Sequence, residues 1–359
     1  MPCFPDELRQ LSGQQDNIRN HAQGEEQVSR QVIIRELPKA ELTPGHFELQ
    51  DVPAPVAGAG EVLVRTCLLS IDAANRAWMQ GATYREAVKA GDVMHGYIVG
   101  EVLESNDDGF RPGDIVGGEG GWAEMLAVPA RKLEKLPDHR PLSHLVSVMG
   151  IAGKTAYHGL IGVGQPKPGD TVVVSAAAGS VGIFVGQIAK ALGCRAVGIA
   201  GGAEKCAWLT EELGFDAAVD YRGGNLFREL KAACPDGIDV YFDNVGGQIL
   251  ETVLFQMNMK GRIVCCGAVS QYNSDSPSGP RNLPGLVVVK RLRMEGFIVM
   301  DFADQDAQAE KDLAAWVAGG QVKVVEDIVE GLENAPGALT GLLAGENRGK
   351  RMVRVCPDP

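Results

Sequence analysis

A turn of small residues at positions 174–182 has the composition of a nucleotide-binding loop. It has the sequence VSAAAGSVG and joins an apolar run at 172–174, predicted to be a strand, to a helix predicted over 181–192. Gly179 has no Cβ to hold a pyrophosphate away, Gly182 lets the helix pack on the strand, and free amides at the helix start attract phosphate. Ala177 stands where the GxGxxG fingerprint has its first glycine, so tight helix–sheet packing alone is the alternative role.

The residues beyond the next predicted strand favour NADPH over NADH. An NAD-binding chain has Asp or Glu about twenty residues after the glycines, where it accepts hydrogen bonds from the ribose. Here Gly201 and Gly202 occupy that place, and Lys205 and Tyr221 follow as a cation and a phenol suited to a 2′-phosphate. Glu204 is the contrary feature, since it could accept the ribose hydroxyls. The alternative role of Lys205 is that of a solvated lysine at a helix start.

The composition bounds the class of protein. The chain has 359 residues, of which 45% are hydrophobic and 22% charged, as expected for a globular enzyme of two domains. A net charge of -12 argues against nucleic acid as a partner. No apolar run reaches the length of a membrane span, and the N-terminus lacks the pattern of a secretory signal, so we expect no membrane partner and a cytoplasmic location.

The eight cysteines show no CxxC pair and no clustering that would hold a metal ion. They lie at positions 3, 67, 194, 206, 234, 265, 266 and 356. A disulfide-rich scaffold would need a far higher density. We therefore expect reduced, mostly buried thiols.

The order of predicted elements indicates a β-rich region followed by an α/β region. Residues 1–28 are polar and aperiodic and are predicted to be a flexible extension. Residues 31–128 contain short apolar runs separated by Pro and Gly, which is typical of a β-rich domain. After about residue 142, strands alternate with helices, which predicts a parallel sheet of about six strands. Strands are expected at 172–174, 195–200, 217–220, 238–242, 262–266 and 294–299. The segment 322–355 is predicted to form strand, short helix and strand that pack on another domain.

Taken together, this order resembles the medium-chain dehydrogenase/reductase superfamily over residues 30–355. Four stretches resemble its prostaglandin, leukotriene and curcumin reductase branch, also called NADPH-dependent alkenal double-bond reductases. They are GIAGKTAY at 150–157, DNVGG at 243–247, CGAVSQYN at 266–273 and EGFIV at 295–299.

The resemblance implies a division of the chain into two domains. A β-rich, GroES-like catalytic domain would span 29–145 and be completed by 322–359. A Rossmann NADPH-binding domain with a doubly wound parallel sheet would span 146–321. The resemblance also implies a homodimer joined along the last Rossmann strand.

The same comparison predicts that this chain needs no zinc. Zinc alcohol dehydrogenases of the superfamily have a GHExxG segment that supplies a histidine ligand, and Gly96 stands at that place here. Ser70, Ile71 and Asp72 occupy the region of the catalytic cysteine, and the four-cysteine lobe is missing between Glu104 and Pro112. Without these ligands a catalytic zinc is not expected.

The resemblance assigns site residues by position. The pyrophosphate contacts are Gly179, Ser180, Val181 and Gly182, and Lys205 and Tyr221 lie at the 2′-phosphate ribose. The nicotinamide side is assigned to Asn244, Cys266, Gly267, Ala268, Val269, Ser270, Gln271, Tyr272, Phe297, Ile298, Val299 and Asn347. The walls of the substrate pocket are assigned to Arg76, Trp78 and Tyr84. On spacing alone, Asn347 is more simply a turn residue.

With these parts the expected reaction is reduction of a C=C bond conjugated to a carbonyl. Hydride from NADPH would reach the β-carbon, and donors would stabilise the developing enolate oxygen. Tyr272 is the predicted catalytic donor, and its alternative role is packing alone. The expected substrates are small enones or enals.

Two other functions stay open from the sequence. A quinone reductase of the same zinc-free superfamily would keep the cofactor and change the acceptor, although the CGAVSQYN loop favours the alkenal branch. A non-catalytic structural or RNA-associated relative would keep only the fold. The YxxxK, GxSxG and HExxH motifs of other enzyme classes are absent.

Overall fold

A computed structural model describes residues 28–273 and 279–359. The extension predicted at 1–28 lies outside this range except for Val28, which begins the first strand. The first part of the chain is β-rich, as expected from its short apolar runs. Its elements are β1 (Val28–Ile34), β2 (Phe47–Pro53), β3 (Glu61–Ser70), α1 (Ala74–Trp78), β4 (His95–Ser105), β5 (Ile115–Gly121), β6 (Met125–Pro129) and β7 (Leu133–Lys135).

Strands and helices alternate in the middle of the chain. The strands are β8 (Thr171–Ser175), β9 (Arg195–Ala200), β10 (Ala217–Asp220), β11 (Ile238–Asp243), β12 (Met257–Cys265) and β13 (Arg293–Gly296). The helices are α2 (Ile151–Tyr157), which continues into a π-helical segment (His158–Gly164), α3 (Gly182–Ala191), α4 (Ala203–Glu211), α5 (Leu226–Ala233), α6 (Gly247–Gln256), α7 (Leu283–Lys290) and α8 (Asp306–Ala318).

These six strands form one parallel sheet in the order β10-β9-β8-β11-β12-β13. This is the doubly wound order, in which the chain moves outward from β8 to one side, returns, and continues from β11 to the other side. All five residues of β8 are buried, and Val173 faces one core while its neighbours Val172 and Val174 face the other. Ligands of such sheets bind at the carboxyl ends of the strands beside the switch point, here between β8 and β11.

The last segment returns to the β-rich part. It contains β14 (Glu326–Glu330), α9 (Ala335–Leu343) and β15 (Lys350–Arg354). β15 pairs with β14 in parallel and with β3 in antiparallel orientation. β14 and β15 therefore extend the sheet of the β-rich part, which has the order β14-β15-β3-β4-β5-β7, and β6 also pairs with β3. The predicted strand, helix and strand are confirmed. We propose the division at residues 146 and 321 as the domain boundaries of this chain.

One predicted strand is too long. The run at 294–299 was expected to be extended throughout, but β13 ends at Gly296. Its partner β12 ends at Cys265, which pairs with Gly296, so the later residues have no ladder to continue. A 3-10 segment (Val299–Gln305) follows and leads into α8.

Candidate functional site

A cavity of about 1010 Å³ lies at the carboxyl ends of β8 and β11, between the two sheets. It brings together most of the residues predicted from the sequence. Those that line it are Trp78, Tyr84, Gly179, Ser180, Val181, Gly182, Lys205, Tyr221, Asn244, Cys266, Gly267, Val269, Ser270, Tyr272, Phe297, Ile298, Val299 and Asn347. A volume of this size exceeds that of most small-molecule sites and suits two ligands side by side.

The glycine turn after β8 forms one end of this cavity. A Cβ on Gly182 would lie 2.3 Å from the carbonyl oxygen of Ala176, so only glycine lets α3 start this close to the strand. A Cβ on Gly179 would meet just one described atom within 4 Å, the same oxygen at 3.2 Å, so the turn is open toward the cavity. α3 starts at Gly182 without a side-chain cap, and Gly182 lines the cavity, so the positive end of the helix dipole lies at this end of it.

Beyond β9 the cavity has a corner that suits a phosphate. A Cβ on Gly201 would lie 3.0 Å from Nε of Arg222 and 3.0 Å from Cε1 of Tyr221, so a carboxylate side chain at 201 would crowd both residues. The guanidinium of Arg222 lies 5.5 Å from the Tyr221 ring and donates to its hydroxyl at 3.3 Å. Arg222 also lines the cavity and is a candidate phosphate ligand that the sequence interpretation missed. Its position directly after Tyr221 was the available clue.

Lys205 completes this corner and is held by the C-terminal segment. Its Nζ donates to the carbonyl oxygens of Gly345 at 2.7 Å and Asn347 at 2.6 Å. Burial lowers the pKa of the Lys205 ammonium, and the positive charges of Arg348 and Arg222 lower it further. A phosphate dianion would relieve this repulsion, so the corner is electrostatically suited to an anion.

Glu204, which could have accepted ribose hydroxyls, does not face the cavity. Its side chain is 86% exposed and is paired with the guanidinium of Arg348. The feature that argued for NADH is thus directed away from the predicted ribose position. Together with Gly201, Lys205 and Arg222, the corner fits a 2′-phosphate.

The segment around Asn347 connects the two halves of the cleft. Asn347 is buried, and its side-chain amide donates to the carbonyl of Gly349 at 2.9 Å, while the amide of Gly349 donates to Ala178 in the glycine turn at 2.9 Å. Gly349 has a φ of 76°, and a Cβ there would lie 2.2 Å from the carbonyl oxygen of Val325. Asn347 is therefore both a turn residue and a cavity residue.

The next residue, Lys350, anchors that segment to the β-rich part. Its side chain is fully buried, and Nζ donates to Asp72 Oδ1 at 2.5 Å and to the carbonyl of Ile71 at 3.1 Å. Asp72 also accepts a hydrogen bond from Ser70 and lines the cavity. The glycine turn and the β-rich side of the cleft are thus joined through a few residues of the C-terminal segment.

Asp243 organises the turn after β11. Its Oδ1 accepts hydrogen bonds from the Tyr241 hydroxyl at 2.9 Å and from the amides of Val245 at 3.0 Å and Gly246 at 2.8 Å. Burial raises its pKa. The side-chain amide of the following residue, Asn244, donates to the carbonyl of Ser175 at 2.8 Å. This linkage fixes Asn244 at the switch point, where it faces the cavity.

The loop 266–272 contributes only in part to the cavity wall. Ala268 and Gln271, both predicted as cofactor contacts, do not line it. Their side chains turn back on the turn at 246–247, since a Cβ on Gly246 would lie 3.4 Å from the Ala268 Cβ and one on Gly247 would lie 3.4 Å from Gln271 Nε2. The side chains of Ala268 and Gln271 thus lie behind the cavity wall, and their contact with the cofactor stays a prediction.

Tyr272 lies at the end of this loop, half-buried in the cavity wall. Burial raises the pKa of its phenol, so the hydroxyl stays protonated and can donate. The loop end is tied to the β-rich part, because Gln80 donates to the Tyr272 carbonyl at 2.8 Å and Arg76 donates to the side chain of Asn273 at 2.9 Å.

These contacts also show where the Arg76 side chain lies. It was predicted in the substrate pocket wall, but its side chain is 2% exposed, does not line the cavity, and holds Asn273 and the carbonyl of Ala40. Trp78 and Tyr84 do line the cavity, with their rings edge to face at 6.4 Å. Arg85, whose guanidinium lies 4.4 Å from the Trp78 ring, lines it as well and was not predicted.

The segment after β13 packs its first aromatic ring under the cleft. Phe297 lies 6.3 Å from Phe242 and 6.2 Å from Phe302, in edge-to-face contact with both. A Cβ on Gly159 in the π-helical segment would lie 2.5 Å from the Phe297 ring, so glycine is needed for this approach. Ile298 and Val299 follow on the cavity wall.

A side chain at position 96 would crowd its neighbours. A Cβ on Gly96 would lie 2.9 Å from Leu69 Cδ1 and 3.0 Å from Trp122 Nε1. Over the described ranges, no group of three or more His, Cys, Asp or Glu side chains is arranged to hold a metal ion. Within those ranges no helix is both long and apolar enough to cross a membrane.

Comparison with known proteins agrees with this geometry. Residues 30–136 match the family model described as the N-terminal domain of oxidoreductase, and residues 180–319 match the model described as zinc-binding dehydrogenase. The second description names zinc, whereas this chain has Gly96 where zinc enzymes of the superfamily have a histidine ligand.

Individual relatives cover nearly the whole chain. The NADPH-dependent curcumin reductase of Escherichia coli strain K12 is 42% identical, over 93% of this chain and 99% of the relative. The NADP(+)-dependent 2-alkenal reductase of Nicotiana tabacum is 41% identical, over 92% of this chain and 98% of the relative. The crystal structure of CurA from Vibrio vulnificus in complex with NADPH has a TM-score of 0.87 and 38% identity, covering 92% of this chain and all of that one. The chain therefore belongs to the zinc-independent branch of the medium-chain dehydrogenase/reductase superfamily that contains the curcumin and 2-alkenal reductases.

Proposed function

We propose that this protein catalyses the NADPH-dependent reduction of a C=C bond conjugated to a ketone or aldehyde carbonyl. The observation that carries the proposal is that one cavity joins the glycine turn, the cationic corner at Lys205 and the protonated phenol of Tyr272. The names of the relatives, curcumin reductase and 2-alkenal reductase, support the same substrate class.

The proposed binding of NADPH follows the shape and charge of the cavity. The pyrophosphate would lie on the turn at Gly179, beside the start of α3, where Gly179 itself has no side chain to hold it away. The 2′-phosphate would lie between Lys205 and Arg222, with Tyr221 beside the ribose. Asn244 and the wall from Phe297 to Val299 would flank the nicotinamide. When bound, NADPH supplies the hydride that reduces the β-carbon of the substrate.

The proposed catalytic part of the chain is the phenol of Tyr272. Its hydroxyl donates a hydrogen bond to the substrate oxygen on which negative charge develops, and partial burial strengthens this bond relative to water. Trp78 and Tyr84 supply an apolar and aromatic wall for the substrate. Gln80 and Arg76 are positioning residues, since they hold the backbone of Tyr272 and the side chain of Asn273.

The proposal is tested by following NADPH oxidation at fixed enzyme with an enone or enal, a quinone and a simple aldehyde side by side. We expect oxidation with the enone or enal. Turnover of the quinone alone would instead identify a quinone reductase. Turnover of the aldehyde alone, with activity that a metal chelator abolishes, would refute the proposal of a metal-free C=C reductase. A protein that binds no NADPH would be a non-catalytic relative.

We further propose that the protein is a cytoplasmic homodimer. All four residues of β13 are exposed at the edge of the sheet, and Val288 and Val289 of the neighbouring helix α7 are 72% and 65% exposed. An exposed edge strand beside apolar side chains is suited to pairing with a second copy. Sedimentation velocity tests the dimer, and a monomer at micromolar concentration would contradict it. Cell fractionation tests the location.

A further inference from the structure

Two thiols outside the cleft face each other where the C-terminal tail leaves β15. The Sγ atoms of Cys67 and Cys356 are 3.3 Å apart, although the residues are separated by 289 positions in the sequence. Cys67 lies in β3 and is fully buried, whereas Cys356 is partly exposed. The amide of Val355 donates to the Cys67 carbonyl at 2.8 Å, so the two backbones lie side by side as in a strand pair.

Local structure directs both side chains to this meeting point. The pairing of β3 with β4 passes from Thr66 with Gly100 to Leu68 with Val99, so Cys67 is the extra residue of a β-bulge. Bulges re-aim a side chain relative to a regular strand. On the other side, Asp358 accepts hydrogen bonds from Arg354 at 2.7 Å and from the amide of Leu142 at 3.4 Å, which fixes the tail.

The charges around the pair distinguish the two thiols. The hydrogen bond with Cys67 lowers the pKa of Cys356, and the nearby Arg65 guanidinium lowers it further. The same hydrogen bond and burial raise the pKa of Cys67. Since the thiolate is the nucleophile, the more exposed Cys356 is the one that reacts first, and Cys67 is placed to react with its product.

We propose that Cys67 and Cys356 form a reversible disulfide when the protein meets a hydroperoxide. The Cys356 thiolate attacks one peroxide oxygen, which breaks the O–O bond, gives a sulfenic acid and releases an alkoxide or hydroxide. The Cys67 sulfur then attacks the sulfenic sulfur, the S–OH bond breaks, and the leaving hydroxide takes the proton of the Cys67 thiol and departs as water. Overall, two thiols and one hydroperoxide give a disulfide, one alcohol or water, and one water, with two electrons passing from sulfur to oxygen.

The geometry demands little movement for this bond. A disulfide has its sulfurs about 2.05 Å apart, so the two Sγ atoms must approach by about 1.2 Å. The bond would join the tail after β15 to β3 and close a loop through most of the chain. A crosslink of this kind restricts the unfolded ensemble and raises Tm.

The test oxidises the full-length protein with hydrogen peroxide, blocks the remaining thiols with iodoacetamide and maps peptides by mass spectrometry without reduction. We expect a linked peptide containing Cys67 and Cys356, a loss of two free thiols per chain, and a rise in Tm of several degrees, all reversed by dithiothreitol. Cys356→Ser should abolish all three changes, and Cys67→Ala should leave Cys356 to oxidise to the sulfinic acid.

The matched control is Cys194→Ser. Cys194 is buried, and burial raises its pKa to about 11, so this variant should still lose two thiols. The proposal is overturned if Cys356 in the wild type oxidises to the sulfinic acid without a linked peptide, if it stays reduced, or if it links to Cys3 or to another chain. The wild-type peptide map decides the question even where a variant fails to fold.

Discussion

Replacement of Lys205 by alanine should weaken the binding of NADPH far more than that of NADH. The ammonium lies at the cavity corner with Arg222 and now donates to the carbonyls of Gly345 and Asn347. A hydrogen bond to a charged group contributes about 1.5–3 kcal/mol, which corresponds to roughly 10- to 150-fold in Kd. Because Arg222 remains at the same corner, we expect the lower part of that range, about 10- to 30-fold.

The two carbonyl contacts of Lys205 complicate a single measurement. Their loss loosens the segment around Asn347 and affects both cofactors alike, so only the ratio of the two Kd values reports on the phosphate. Quenching of protein fluorescence on titration with NADPH and with NADH gives this ratio. Lys190→Ala is the matched control, since Lys190 pairs with Asp216 away from the cavity. An equal loss of affinity for both cofactors, or no loss for either, would refute the role of Lys205 in binding the 2′-phosphate.

The lowered pKa of Lys205 adds a pH dependence to the same experiment. As pH rises through this lowered pKa, the ammonium loses its charge and its attraction to the 2′-phosphate. The preference for NADPH over NADH should thus decline before pH reaches 10.5, the ordinary value for lysine. Lys205→Arg should keep a constant preference, because the guanidinium stays charged. If the preference for NADPH declined with pH in the same way in the wild type and in Lys205→Arg, this explanation would be contradicted.

Three further substitutions test other parts of the site. Tyr272→Phe should lower kcat for an enone by about 100- to 1,000-fold, which is the usual effect of removing one donor to a developing oxyanion. The affinity for NADPH should change little. An unchanged kcat would exclude the phenol as the donor. Gly201→Asp should shift the ratio of Kd values toward NADH by at least about tenfold, since the carboxylate would repel the phosphate and crowd Arg222. Gly337→Asp is the control, because Gly337 is exposed, has an open Cβ position and no positive φ, and lies outside the cavity; an equal effect of both substitutions would refute the reasoning. Lys350→Met should lower the free energy of unfolding by about 2–3 kcal/mol in urea titrations, because removal of the fully buried ammonium leaves the Asp72 carboxylate without its partner charge. Asp72 is itself 32% exposed, which reduces the loss. An unchanged urea midpoint would contradict the importance of the buried pair.

Much of the fold could be predicted from local pattern. Buried parallel strands appear as short apolar runs, and this was sufficient to find all six strands of the central sheet. The end of β13 could not be predicted, because the strand stops where its partner β12 stops, at the pair Cys265 and Gly296. The end of β13 thus depends on the register between β12 and β13 and not on the composition of either strand.

The site was predictable where a residue's place in the chain fixes its place in space. Residues of the turn at 179–182 follow β8 directly and had to lie at the switch point. The contact of Arg76 with Asn273 could not be predicted, because the two residues are 197 positions apart and only the fold brings them together. That the side chains of Ala268 and Gln271 do not line the cavity could not be predicted, because a loop sequence does not reveal which side chains face inward. The contacts of Lys205 with residues 345–347 and of Lys350 with Asp72 could not be predicted either, because each joins residues that lie far apart in the sequence.

The most direct test of the central claim follows the transferred hydrogen. NADPH with deuterium at both C4 positions of the nicotinamide is mixed with the protein and an enone in ordinary water, and the product is examined by NMR. The account predicts a saturated ketone with one deuterium on the β-carbon and a solvent-derived hydrogen on the α-carbon. An allylic alcohol with deuterium on the former carbonyl carbon, or a saturated ketone without deuterium, would contradict it.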